Sequence, residues 1–257
     1  MCILAIQYRL VPEAPILVAM NRDERYERAA TVPAIQSGKP RVLCGIDQQG
    51  GGTWLGVNQH GLLVAACNRP KPFRPLSPRS RGLLCRELLK SGSARQAVDK
   101  AMEELSSNQY DGVNFVCADS ESGWVVHGGD EVEAVELIEG LSIVSNGDVN
   151  DARDERGKLA RRLLTLQTLD SPVKFLAVAS KVFARSPALP GRPSMIDRGT
   201  EKGTVSSTLI ALGKKPRDAI YQHAGEAPDR SKYEDYSPLL RDILSRGLRE
   251  SRSKQKA

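Results

Sequence analysis

Short apolar runs of strand length, closed by turn residues, are what most constrain the fold of this chain. Residues 2–8 and 16–20 are two such runs, and Val11-Pro12-Glu13-Ala14-Pro15 between them is a turn by its prolines. So short a link joins antiparallel neighbours, because a parallel pair needs a crossover of a dozen or more residues. Residues 41–47, 53–58 and 62–68 follow, with Gly50-Gly51-Gly52 and Gln59-His60-Gly61 as hairpin connections. Residues 114–119 and 124–127 return to strand. Residues 132–138 and 141–145 read as a hairpin about Glu139-Gly140, and 204–212 with 218–223 as a last pair. Helical patterns fall between these groups. They cover 82–90, a segment from Ser93 with Ala94, Val98, Ala101, Met102 and Leu105 on one face, 156–169, and a segment opened by Ser171-Pro172. Residues 69–80, with four prolines, and 185–202 read as loops. Strand groups alternating with helix groups indicate an α+β fold with antiparallel sheets.

At 257 residues and 40% apolar content the chain can bury a sizeable core. We expect a single domain over 1–235 and a basic C-terminal tail over 236–257, with a weak helix at 238–249. Six Lys/Arg against two Asp/Glu lie in 241–257, so +4 of the net +6 is local to that tail. Tails of this kind are commonly solvated. With 5% aromatics and no aromatic–basic stripe, specific nucleic-acid binding is not expected. No run approaches the roughly 20 apolar residues of a membrane span. The five cysteines, Cys2, Cys44, Cys67, Cys85 and Cys117, are dispersed and odd in number. That pattern suits a reducing, cytoplasmic location.

Cys2 is the chemically loaded position. Removal of Met1 would place a thiol and a free α-amine on one carbon. Unperturbed, these titrate at about 8.5 and roughly 7.7–8.0, a nucleophile beside a base near its working pH. The competing reading is a small apolar residue opening a buried strand. Asn21-Arg22-Asp23-Glu24 ends the second run, and antiparallel pairing brings it beside Cys2. A carboxylate there can orient the amine, and an Arg there can pair with an acidic substrate group. Alone, the tetrapeptide reads equally as a solvated charged turn. Gly50-Gly51-Gly52-Thr53-Trp54-Leu55-Gly56 is neither a Walker loop nor GxGxxG, so it carries no nucleotide role. Asn68 and Asn146 each end an apolar run, where an amide NH₂ can face a developing oxyanion or simply form a turn. His60, His127 and His223 show no ligand-like spacing, and no metal or cofactor is expected.

Met1-Cys2-Ile3, Asn21-Arg22-Asp23-Glu24, Gly51-Gly52-Thr53-Trp54-Leu55-Gly56, Ser145-Asn146 and Gly203-Thr204 occur in the order found in the NRDE family. That is the family of transport and Golgi organization protein 2, and the resemblance runs to about residue 224. The family is similar to N-terminal nucleophile hydrolases of the penicillin-acylase and bile-salt-hydrolase type. The resemblance implies a four-layer αββα sandwich and hydrolysis of a C–N amide or thioester bond of a small acylated substrate. Cys2 matches the nucleophile, Asp23 the carboxylate near its amine, and Asn68 and Asn146 the asparagines that hold the oxyanion. Asn21, Arg22 and Trp54 are the expected substrate contacts. Two positions depart from those hydrolases: Met20 and Val205 stand where they carry Arg. The alternative is a non-enzymatic carrier binding haem, a lipid or acyl-CoA in the same cleft.

Overall fold

A computed structural model describes residues 2–186 and 193–254. Two antiparallel sheets lie face to face. The first has the order β10-β1-β2-β11-β12-β13, the second β3-β4-β5-β6-β7-β8-β9. In chain order the elements are β1 (Ile3–Tyr8), β2 (Ile16–Arg25), β3 (Ala34–Gln36), β4 (Val42–Cys44), β5 (Leu55–Asn58), β6 (Leu63–Asn68), α1 (Arg81–Leu88) and α2 (Ala94–Ser106). Then come β7 (Val113–Ala118), β8 (Gly123–Gly128), β9 (Val132–Glu136), β10 (Gly140–Val144), α3 (Glu155–Leu164), α4 (Pro172–Phe183), β11 (Lys202–Leu212), β12 (Ile220–Ala224), β13 (Glu234–Asp235) and α5 (Ser237–Lys254).

Strand periodicity builds the layers. Leu4, Ile6, Val18 and Met20 point between the sheets and meet Leu43, Leu63, Val116 and Val125 of the second sheet. The alternate residues Ile3, Ala5, Leu17 and Ala19 point outward onto Ala160, Phe175 and Phe183 of α3 and α4. Val64, Phe115 and Val126 do the same for the second sheet against α1 and α2. The result is helix, sheet, sheet, helix, as the resemblance implies.

The β1–β2 hairpin forms as its prolines predict, with Ile3 opposite Asn21. Strand β2 continues to Arg25, so Asn21-Arg22-Asp23-Glu24 lies inside a strand rather than past its end. The expected hairpin of 132–145 does not form. Strand β9 pairs with β8, while β10 crosses to the other sheet and pairs with β1. Local turn chemistry at Glu139-Gly140 is satisfied either way, so only the partner strands decide. Residues 187–192 of the loop expected at 185–202 lie outside the described residues, as do Met1 and 255–257.

Of the expected tail at 236–257, the described residues to 254 do not make a solvated segment. Helix α5 spans nearly all of that segment, with Leu240 and Ile243 fully buried in the core between the sheets. Its Gly247 sits so close to the carbonyl of Gln59 that a Cβ would fall at 1.9 Å from that oxygen. The many basic residues hid a narrow apolar stripe at helical spacing. Among the described residues, no helix is long and apolar enough to cross a membrane.

Candidate functional site at Cys2

Cys2 is 7% exposed and belongs to the core between the sheets. Its thiol donates to the backbone carbonyl of Asp23, with sulfur and oxygen 3.8 Å apart. Burial, then the nearby Asp23 charge, pushes the thiol pKa up, partly offset by Arg22. A buried thiol of this kind is protonated at neutral pH, so nucleophilic work needs a base.

Asp23 and Arg22 point to opposite faces of β2, as an extended strand requires. Asp23 faces the helix layer and its side chain is 1% exposed. Arg156, from the first turn of α3, pairs with it through Nη1 at 2.5 Å from Oδ2. Thr204 Oγ1 donates to Oδ1 at 2.6 Å, and a second Arg156 nitrogen donates to the Met195 carbonyl at 2.7 Å. Arg156 was not among the residues singled out from the sequence. Its signal was local: Asp154 caps α3, and a cation two residues on opposes the helix dipole unless an anion faces it. The segment is fixed further by Ser145, whose hydroxyl donates to Asp154 at 2.5 Å. Met20, where related hydrolases carry Arg, is buried between the sheets instead.

Arg22 faces the space between the sheets and stacks on Trp54, 4.4 Å from the ring centre. Asn21 does not share that space. Its amide nitrogen donates to the carbonyls of Phe183 and Met195, at 2.9 and 2.8 Å, on the helix side. It ties α4 to the segment ahead of β11, a poor position for the substrate contact expected of it. Asn68 and Asn146 are brought together from different sheets: the Asn146 amide donates to the Asn68 carbonyl at 2.6 Å. Cys67, next to Asn68, shares the inter-sheet core with Cys2.

The glycine run serves fold rather than ligand. Gly51 takes φ +66°, and a Cβ on Gly52 would lie 2.3 Å from the backbone of Gly82. Only glycine lets the start of α1 dock there. One group with metal-ligand chemistry, His127, Glu133 and Asp148, gathers among the described residues. Two of its three members are already engaged: His127 Nε2 accepts from Val149 N–H, and Asp148 takes Arg69 at 2.6 Å.

The model of the family "Transport and Golgi organisation 2" matches residues 1–182. The chain belongs to that family. Its bovine relative, "Transport and Golgi organization protein 2 homolog", is 32% identical over 135 residues, 49% of each chain. The mouse relative, "Transport and Golgi organization 2 homolog", is 29% identical over 126 residues, covering 46% of this chain and 45% of its own. The chain thus spans about half the length of the curated relatives it matches. Among solved structures it is similar to a Caenorhabditis elegans N-acylethanolamine-hydrolyzing acid amidase ortholog. That match has a TM-score of 0.54 at 13% identity and covers 81% of this chain and 92% of the other. Penicillin V acylase from Agrobacterium tumefaciens gives 0.50 at 13% identity, covering 87% and 83%. At such identities the likeness is one of fold: this chain shares the sandwich of those structures.

Proposed function

We propose that this chain is an amide hydrolase with Cys2 as its N-terminal nucleophile once Met1 is removed. The observation that carries the reading is the buried carboxylate of Asp23, clamped by Arg156 and Thr204 on the same residue whose backbone carbonyl accepts the Cys2 thiol. An ion pair this buried recovers little net stability from its charges. Its place next to the thiol is what a positioned amine–thiol centre requires.

In this reading the α-amine of Cys2 takes the thiol proton, which burial makes hard to lose unaided. The thiolate attacks the substrate carbonyl. Asn146 Nδ2, with one N–H spent on Asn68, offers the other to the oxyanion, and the Asn68 amide offers a second donor. The α-ammonium then protonates the leaving nitrogen as the C–N bond breaks. Water adds to the thioester, giving its proton to the amine, and collapse releases the acid and restores the thiol. Asp23 and Arg156 position the amine and do not exchange protons with substrate.

The test is turnover of N-acyl amines and acyl thioesters, with intact mass measured on untagged protein. Loss of Met1 and turnover abolished by Cys2→Ser are expected. Full turnover in Cys2→Ser, or complete retention of Met1, overturns the reading. The carrier alternative has its ligand in the same cleft; a cavity of about 800 Å³ lies instead at the other end of the sandwich, among Ile16, Leu212, Leu244 and Leu248, and would move a carrier's ligand there. Saturable lipid binding untouched by Cys2→Ala would favour it.

A further inference from the structure

A second cavity, of about 400 Å³, opens on the Arg22 side of β2 and is lined by Arg22, Trp54, Ser206, His223, Arg198 and Arg230, among others. Two of these groups are out of balance. Arg22 is 5% exposed, yet among the described residues its guanidinium makes no hydrogen bond. Its nearest carboxylate, Glu24, stands at 4.0 Å and lies closer to Arg28, at 3.7 Å. Ser206 is 6% exposed, and its hydroxyl is buried without a partner among the described residues. A buried hydroxyl left unpaired is costly, and a guanidinium with so little water around it gains from an acceptor.

The two are placed together by a defect in the sheet. Strands β2 and β11 run in register with Thr204 opposite Asp23, and the next pair should be Val205 with Arg22. A bulge between Thr204 and Ser206 makes it Ser206 with Arg22. Bulges re-aim side chains in this way. Here the extra residue carries the hydroxyl to the face where Arg22 looks for an acceptor. Two other cations of the lining are better matched: Arg28 pairs with Asp47 at 2.6 Å, and Arg198 pairs with Asp229. Glu226 is the acidic member of the lining, and His223 is buried with Nδ1 on Thr208, 2.9 Å away.

We propose that this cleft is a subsite for an oxyanion group on the substrate, a carboxylate or a phosphate, received by the Arg22 guanidinium and the Ser206 hydroxyl, with Arg230 at its rim. A neutral carbonyl would satisfy the hydroxyl but leave the guanidinium charge uncompensated. A planar or tetrahedral oxyanion accepts from both, and Trp54 holds the guanidinium flat for a two-pronged contact. The inference deepens the hydrolase reading and rests on it for the word substrate, but its test needs only binding.

The probes are N-dodecanoylglycine, its methyl ester and dodecyl phosphate, titrated calorimetrically into the Cys2→Ala protein. The acid or the phosphate is expected to bind at least tenfold tighter than the ester. Preference for one over the other identifies which oxyanion the subsite takes. Inorganic phosphate should compete, and Ser206→Ala should erase most of the preference. Arg22→Gln should abolish it; should that variant fail to fold, Ser206→Ala and the exposed Arg230→Gln carry the same test. Equal binding of acid, phosphate and ester, or binding of none, overturns the subsite. Oxyanion preference in a protein that turns over no amide or thioester overturns the hydrolase reading and leaves the subsite standing. Turnover without oxyanion preference does the reverse.

Discussion

The residue that most changes the view of the site is Arg156. Asp23 has almost no solvent contact, so its charge depends on the guanidinium beside it. Removing one partner of a buried ion pair leaves the other stranded, at about 3–5 kcal/mol. Arg156→Met is therefore expected to lower unfolding stability by roughly that amount, read by urea denaturation. Loss of less than about 1 kcal/mol would mean that Asp23 does not depend on Arg156. Much of this corner was legible from sequence. The Pro-rich turn set the β1–β2 register, and that register put Asn21-Arg22-Asp23-Glu24 beside Cys2. Arg156 escaped because it arrives from a helix 133 positions away, and no periodicity encodes that distance. Ser206 escaped because a bulge breaks the alternation by which strand faces are read.

Among the elements, α2, α3 and α4 announce themselves by caps and stripes. Ser93 and Ser171 accept from the backbone of Gln96 and Lys174, and Pro172 opens α4 where its missing N–H costs nothing. Helix α5 does not. It is rich in Arg and Ser, and its buried face rests mainly on Leu240 and Ile243. Those two fill the core between the sheets beside Tyr221, Tyr236 and Leu43. Leu240→Ala is expected to cost about 2–5 kcal/mol, the usual range for a fully buried leucine, again by urea denaturation. A change within 0.5 kcal/mol, as at surface sites, would return α5 to the status of a tail. Strands β9 and β10 make the opposite point. Each was recognised as a strand, but which sheet a strand joins is decided by partners far along the chain.

Across the whole molecule, two buried histidines tie stability to pH. Burial lowers His223 to about 4 and lowers His127 as well. Above pH 6.5 both are neutral, folded or unfolded. Below it the unfolded chain takes up protons that the folded chain refuses, so stability falls with pH until about 4, where His223 itself protonates. The His223 share is roughly 3 kcal/mol over that window. Melting temperatures between pH 7 and 5, above most carboxylate titration, should fall in the native protein and fall less in His223→Gln. A flat profile would place His223 in contact with water. The sandwich also leaves four sheet margins, and their make-up has a consequence for crowded solutions. Strands β3 and β13 are three and two residues long, and β10 is flanked by α3. Strand β9 is the five-residue margin of the second sheet, long enough to pair with a foreign strand, and it carries Glu133 and Glu136. Like charges would meet wherever two copies approached along β9, so the architecture resists fibre growth and aggregation at that border.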